Sequence, residues 1–130
     1  MLTDQVKKQV LQRYIDCWND GDAEGVLALF ADEATAEDPV GTEVAVGIEA
    51  IRAKLLPGKE QVIRITLDGP IRTTYGNRAA MAFTLDCWFG EEAKRIKVID
   101  VMTLDDEGKI LALEAHWGDD DIEPLPADQH

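Results

Sequence analysis

The sequence predicts an α+β domain, helices first and a curved antiparallel meander after them. Three observations predict it. Apolar residues recur at three- and four-residue steps in the N-terminal part, and the period changes towards alternation from about residue 61. The connections between the later segments are short, as hairpins require. Forty-five per cent hydrophobic and 30% charged is a globular composition, and 130 residues supply one core and one domain over 1–130.

From Asp4 to about Asn19, Val6, Val10, Tyr14 and Cys17 form an apolar stripe with Leu11 and Trp18 beside it. Thr3 is placed to cap this helix. Asn19-Asp20-Gly21-Asp22 is a turn in which Gly21 ends the first helix and Asp22 caps the second, Ala23 to about Phe30, with Val26, Leu29 and Phe30 inward. A third helix spans Ile48 to Leu56 and stops at Pro57-Gly58. Strands are expected near 61–72, 79–89, 93–105 and 109–117, separated by Tyr75-Gly76-Asn77, Gly90-Glu91-Glu92 and Asp105-Asp106-Glu107-Gly108. Several are apolar on both parities, so the sheet needs cover on both faces: helices on one, a second copy of the chain on the other. Residues 118–130, with Asp119-Asp120-Asp121 and two prolines, read as a solvated acidic tail.

Thirteen basic residues against 26 acidic ones leave a net charge of −13. That surface repels phosphate backbones and anionic lipid, so nucleic-acid and membrane partners are not expected, nor is a highly charged anionic substrate. No apolar run reaches membrane-spanning length, and Met1-Leu2-Thr3-Asp4 does not read as a signal peptide. With only Cys17 and Cys87, the reducing cytoplasm is the expected compartment.

Three polar residues stand on apolar faces. Tyr14 points inward from the first helix, and its hydroxyl needs a partner. Asp100 interrupts Val98-Ile99-Asp100-Val101-Met102, on the same face as Ile96, Val98, Met102 and Leu104. A carboxylate there faces a desolvation cost of several kcal/mol, so the expected outcome is a raised pKa and a neutral, hydrogen-donating acid. Asp38 follows a strand-like run, Ala34 to Glu37, and precedes Pro39, which brings no amide hydrogen to compete for the carboxylate. Taken singly, each has a plain structural reading: a core tyrosine bonded to a carbonyl, a strand aspartate with a structural partner, a strand-to-turn exit. Together they suit proton abstraction α to a carbonyl, one carboxylate as base and two donors holding the enolate oxygen. That chemistry needs no metal or other cofactor.

Other chemistries find less support. There is no serine, and Gly69-Pro70 and Gly76-Asn77 are turns, not phosphate loops. Cys17 and Cys87 fall on apolar faces as small core residues. His116 near Asp119 to Asp121 reads as a strand histidine beside a solvated segment.

Arg13-Tyr14-Ile15, Asn19 to Asp22, Leu29 to Thr35, Glu37-Asp38-Pro39-Val40-Gly41, Val98 to Met102 and Ala115-His116-Trp117 together resemble the bacterial Δ5-3-ketosteroid isomerases. These belong to the wider superfamily typified by nuclear transport factor 2 and SnoaL-like proteins. The resemblance runs to about Trp117. It implies a curved mixed or antiparallel sheet wrapped by three N-terminal helices into a cone, a homodimer, and an apolar 3-oxo-Δ5-steroid as substrate. It also implies roles: Asp38 carries a proton from C4 to C6, while Tyr14 and Asp100 hold the dienolate oxygen. Met81, Phe83, Val98, Met102 and Trp117 are the expected steroid contacts, with the Trp117 indole donating to Asp38. Leu85 and Leu113, which share those faces, are expected to be core. The chain departs from the family at Leu55 and Phe30, where members carry tyrosines that support the Tyr14 hydroxyl, and at the bulky Trp18. The alternatives are another enzyme on this scaffold, a polyketide cyclase or an epoxide hydrolase, and a silent apolar-ligand-binding module. An Asp-Arg-Asp relay would mark one type of epoxide hydrolase, but parity places none of Arg64, Arg72 and Arg95 beside the three key residues.

Overall fold

The computed structural model describes residues 1–56 and 61–125. Three helices, α1 (Asp4–Asn19), α2 (Ala23–Ala28) and α3 (Ile48–Leu55), accompany eight strands. These are β1 (Phe30–Glu37), β2 (Ala45–Val46), β3 (Gln61–Leu67), β4 (Arg72–Thr73), β5 (Arg78–Phe89), β6 (Glu92–Leu104), β7 (Ile110–His116) and β8 (Ile122–Pro124). They form one curved, unclosed sheet in the order β2-β1-β7-β6-β5-β3, with β4 on β5 and β8 on β6. The sheet is mixed, because β1 runs parallel to β7 while the other pairs are antiparallel.

The first helix starts as its sequence dictates: the Thr3 hydroxyl accepts the Val6 amide at 3.2 Å. Its buried face is rotated from the expected stripe, however. Lys7, Leu11, Tyr14 and Ile15 are buried, while Val6 is exposed. Lys7 turns inward because its ammonium finds two carbonyls, Thr74 O at 2.8 Å and Gly76 O at 2.9 Å. Its aliphatic stem then packs like any apolar chain. At the other end of α1, the Asn19 carboxamide both donates to Ile65 O and accepts from Ile65 N–H, at 2.9 and 2.6 Å. A residue expected only to turn the chain thus clamps α1 along β3.

Asp22 caps α2 through Gly25 N–H at 2.9 Å, but the helix ends at Ala28. Phe30 pairs with Ile110, and Leu29 O accepts the Ile110 amide at 2.8 Å, so the parallel ladder takes the last residues of the expected helix. The expected strand 61–72 is likewise divided. It breaks after Leu67, and the chain returns as β4 against the start of β5, because Pro70 has no amide to continue a ladder. The hairpins sit where expected. Gly90, at φ 62°, turns β5 into β6, and Gly108, at φ 85°, turns β6 into β7. The Pro57-Gly58 stop after α3 lies outside the described residues.

The C-terminal segment corrects the expectation of a solvated tail. Asp119–Asp121 make an exposed 3₁₀ turn, after which β8 pairs Ile122 with Ile96 and Lys94 with Pro124. Leu125 is buried and donates its amide to Ala93 O at 3.0 Å. The apolar Ile122 and Leu125 outweigh the acidic run before them and draw the chain back onto β6. The end of the expected tail, 126–130, lies outside the described residues.

Candidate active site

The parallel pairing of β1 with β7 builds the first part of the site. Glu37 is registered on Glu114, and Val40 donates to Ala115 O at 2.8 Å. Asp38 therefore leaves the sheet beside Trp117, which follows the end of β7. The Trp117 indole N–H donates to Asp38 Oδ1 at 2.7 Å, the contact its position implied. Asp38 is half-buried. Burial raises its pKa, while the Trp117 hydrogen bond and the Lys54 charge act in the opposite direction.

The long β6 strand brings the second carboxyl. Alternation along it is clean from Val98 to Leu104, with Val98, Asp100, Met102 and Leu104 buried and Ile99 exposed. Asp100 is only 2% exposed. Burial pushes its pKa well above the usual carboxylate range, and the charge of nearby Asp38 pushes the same way. Burial of this kind favours the neutral form, which can donate a hydrogen bond. Tyr14 faces it from α1, ringed edge-on by Trp18 at 6.1 Å and Phe30 at 6.4 Å between centroids. Burial raises the phenol well above its ordinary pKa, Asp100 and Asp38 add to the rise, and the Trp18 side chain opposes it.

All three residues border one cavity of about 330 Å³, within the range of small-ligand sites. Of the expected substrate contacts, Phe83, Val98 and Trp117 line it. Met81 and Met102 do not. They are 2% and 0% exposed and fill the core instead. The register explains this: Met81 pairs with Asp100 and Met102 with Ala79, so both methionines lie at or beyond the level where the cavity closes. From Asp100 the cavity extends the other way, towards the β5–β6 hairpin, past Leu85, Cys87 and Ile96 to Phe89 and Lys94. Leu85, expected to be core, is therefore wall, whereas Leu113 is core. The signal for the missed residues was present, since Leu85, Cys87 and Phe89 share the parity of Phe83, and Lys94 and Ile96 share that of Asp100. Trp18, Leu55, Ile63 and Ile65 complete the apolar wall from the helices and β3.

None of the three arginines considered for a relay lines this cavity. Arg95 is paired with Asp86 at 2.8 Å, and Arg64 lies 5.4 Å from the Trp88 ring centre. Arg72 is exposed in β4. His116 is exposed, its ring nitrogen 3.2 Å from Glu114 O. Among the described residues no three His, Cys, Asp or Glu side chains converge as metal ligands, and no helix is long and apolar enough to cross a membrane.

The family model of a SnoaL-like domain matches residues 11–113. The chain belongs to the SnoaL-like domain family. Its relatives in this family include enzymes of two kinds. It is 32% identical over 122 residues to a steroid Delta-isomerase of Nocardioides simplex, covering 92% of this chain and 96% of that protein. It is 30% identical over 122 residues to the epoxide hydrolase LasB of Streptomyces lasalocidi, covering 91% of this SnoaL-like chain but 43% of LasB. Among solved structures, SalBIII, an epoxide hydrolase/cyclase-like enzyme of pyran ring formation in the polyether salinomycin, superposes with a TM-score of 0.88. That match has 28% identity and covers 96% of this chain and 100% of the other.

Proposed function

We propose that this SnoaL-like protein is a steroid Δ5-isomerase, moving the C5–C6 double bond of a 3-oxo-Δ5-steroid into conjugation. The observation that carries this reading is the meeting of one half-buried, indole-bonded carboxyl, Asp38, with a buried phenol and a buried carboxyl, Tyr14 and Asp100, around one largely apolar cavity. Asp38 takes a proton from C4, and the electron pair moves onto the C3 oxygen as the C5–C6 π bond becomes part of a dienolate. Tyr14 and Asp100 each donate a hydrogen bond to that oxygen. Asp38 then returns the proton to C6. The apolar wall leaves the donors undiluted by water, where an oriented hydrogen bond acts at full strength. The open face of the sheet, with Val62 and Ile99 61% and 51% exposed, suits a homodimer, and the free Cys17 and Cys87 suit the cytoplasm.

The same trio supports a second reading, favoured by LasB and SalBIII. A protonated Asp100 opposite an ionised Asp38 is also an acid–base pair for epoxide opening. Asp38 would take the proton of a hydroxyl or water as it attacks carbon, and Asp100 would protonate the departing epoxide oxygen.

The test is spectrophotometric. Purified protein with 5-androstene-3,17-dione is expected to generate the ultraviolet band of the conjugated enone, and Asp38→Asn is expected to abolish it while still binding steroid. No enone from folded protein, or activity in Asp38→Asn within tenfold of the parent, would overturn the isomerase reading.

A further inference from the structure

The two acids that line the cavity, Asp38 and Asp100, serve the chemistry at its inner end. Two lysines also line it. Lys54 is held against the loop after β1, donating to Thr42 Oγ1 at 3.2 Å and Glu43 O at 2.6 Å. Lys94 is different. It lies in β6 on the face that carries Asp100, exposed at the mouth, and among the described residues its ammonium has no hydrogen bond or ion pair. β8 pairs alongside this end of β6, Ile122 with Ile96 and Pro124 with Lys94, so the strand that carries Lys94 is paired on both edges, by β5 and by β8.

The spacing along β6 gives the distance. Asp100 and Lys94 are six positions apart, about 20 Å of strand. A tetracyclic ketone with its oxygen on Tyr14 and Asp100 has its fourth ring short of the rim. A side chain of several atoms on that ring, together with the lysine stem reaching back, spans the remainder. Between the two ends the lining of this face is apolar: Val98 and Ile96 on β6, with Phe83 and Leu85 facing them on β5. The arrangement is a donor pair at one end, an apolar barrel, and a lone cation at the other.

We propose that Lys94 makes this a site for acidic steroids, receiving a carboxylate borne on the side chain at the end of the molecule opposite the ketone. The inference rests on the isomerase reading of the site and adds the substrate class to it. Net charge does not oppose it. The protein's −13 repels multiply charged ligands over distance, but a single carboxylate already inside the rim lies closer to Lys94 than the screening length of about 8 Å.

The experiment compares 3-oxochol-4-en-24-oic acid with its methyl ester, two conjugated ligands the enzyme cannot isomerise further. Binding is followed through the fluorescence of Trp18 and Trp117, which line the cavity. Wild type is expected to prefer the acid by roughly two- to fivefold, as an exposed ion pair does, with the preference shrinking as salt is raised. Lys94→Met should bring the acid-to-ester ratio to about one, and Lys94→Glu should invert it. Reading the ratio cancels any general loss of affinity in a variant. A wild type that binds the ester as tightly as the acid, or a preference that survives Lys94→Met, overturns the inference. If 5-androstene-3,17-dione is turned over while the ratio is one, only the role of Lys94 falls. If neither ligand binds and no enone forms, the isomerase reading falls and this inference with it.

Discussion

Asp100→Asn tests the buried neutral acid without reference to any substrate. The side chain is 2% exposed, and burial together with the Asp38 charge raises its pKa well above the usual range. In the unfolded chain it titrates as an ordinary aspartate. At pH values between those two limits the native state holds one proton more than the unfolded state. Stability therefore falls as pH rises, by about 1.4 kcal/mol per pH unit from this group alone. Asparagine has nearly the same shape and never ionises, so the variant lacks that slope. Its stability relative to wild type should climb by about 1.4 kcal/mol for each pH unit across the window. Urea unfolding at fixed protein concentration, at half-unit steps from pH 5 to 7, measures the difference directly. Because all other groups titrate alike in both proteins, only Asp100 and its coupling to Asp38 remain in the difference. Parallel stability curves would show that Asp100 is ionised in the folded protein, and the oxyanion role would fail with it.

Three further expectations follow from the same geometry. Tyr14→Phe and Asp100→Ala should each lower kcat by roughly 10²- to 10³-fold, with Asp100→Asn milder because an amide still donates; steady-state kinetics decides, and equal damage from the two Asp100 changes would refute a donor role. Trp117→Phe removes the 2.7 Å bond that stabilises ionised Asp38, so the acid limb of the kcat/KM profile should move to higher pH; an unmoved limb would detach Trp117 from the base. Lys7→Met leaves Thr74 O without the ammonium and Gly76 O with only the Thr74 hydroxyl, and should destabilise the fold by about 1–3 kcal/mol in urea titration, with kcat little changed.

What the sequence revealed, and where it stopped, divides along a physical line. Asp100 was legible because a charge inside an apolar run is expensive wherever the strand lies. The Asp38–Trp117 contact was legible from the resemblance, and the β1–β7 register is what delivers it. Parity along β5 and β6 identified the right face but could not give position along it. Met81 and Met102 share the face of Asp100 and Phe83, yet both are packed into the core, and the cavity runs from Asp100 towards the hairpin. The same limit hid Lys94. The burial of Lys7 depended on carbonyls some seventy positions away in sequence, and β8 on an edge of β6 that exists only once the sheet has formed.

The scaffold itself does not choose between moving a double bond and opening an epoxide, since relatives of both kinds share it. The choice lies in what each reaction asks of Asp38. Epoxide hydrolysis requires a water held against the base, and a cyclisation requires a substrate hydroxyl there. Isomerisation requires that the base stay close to the ring face and swing between two carbons. Here one oxygen of Asp38 is bonded by the Trp117 indole, Lys54 supplies a nearby charge, Trp18, Leu55 and aliphatic strand residues make most of the remaining cavity wall, and none of the three candidate arginines lines the cavity to orient a water. A base held at one oxygen by an indole is better arranged to carry a proton between two carbons of one ring system, C4 and C6, than to steer a water molecule. That balance of contacts, and not the fold, is the reason to test the steroid first.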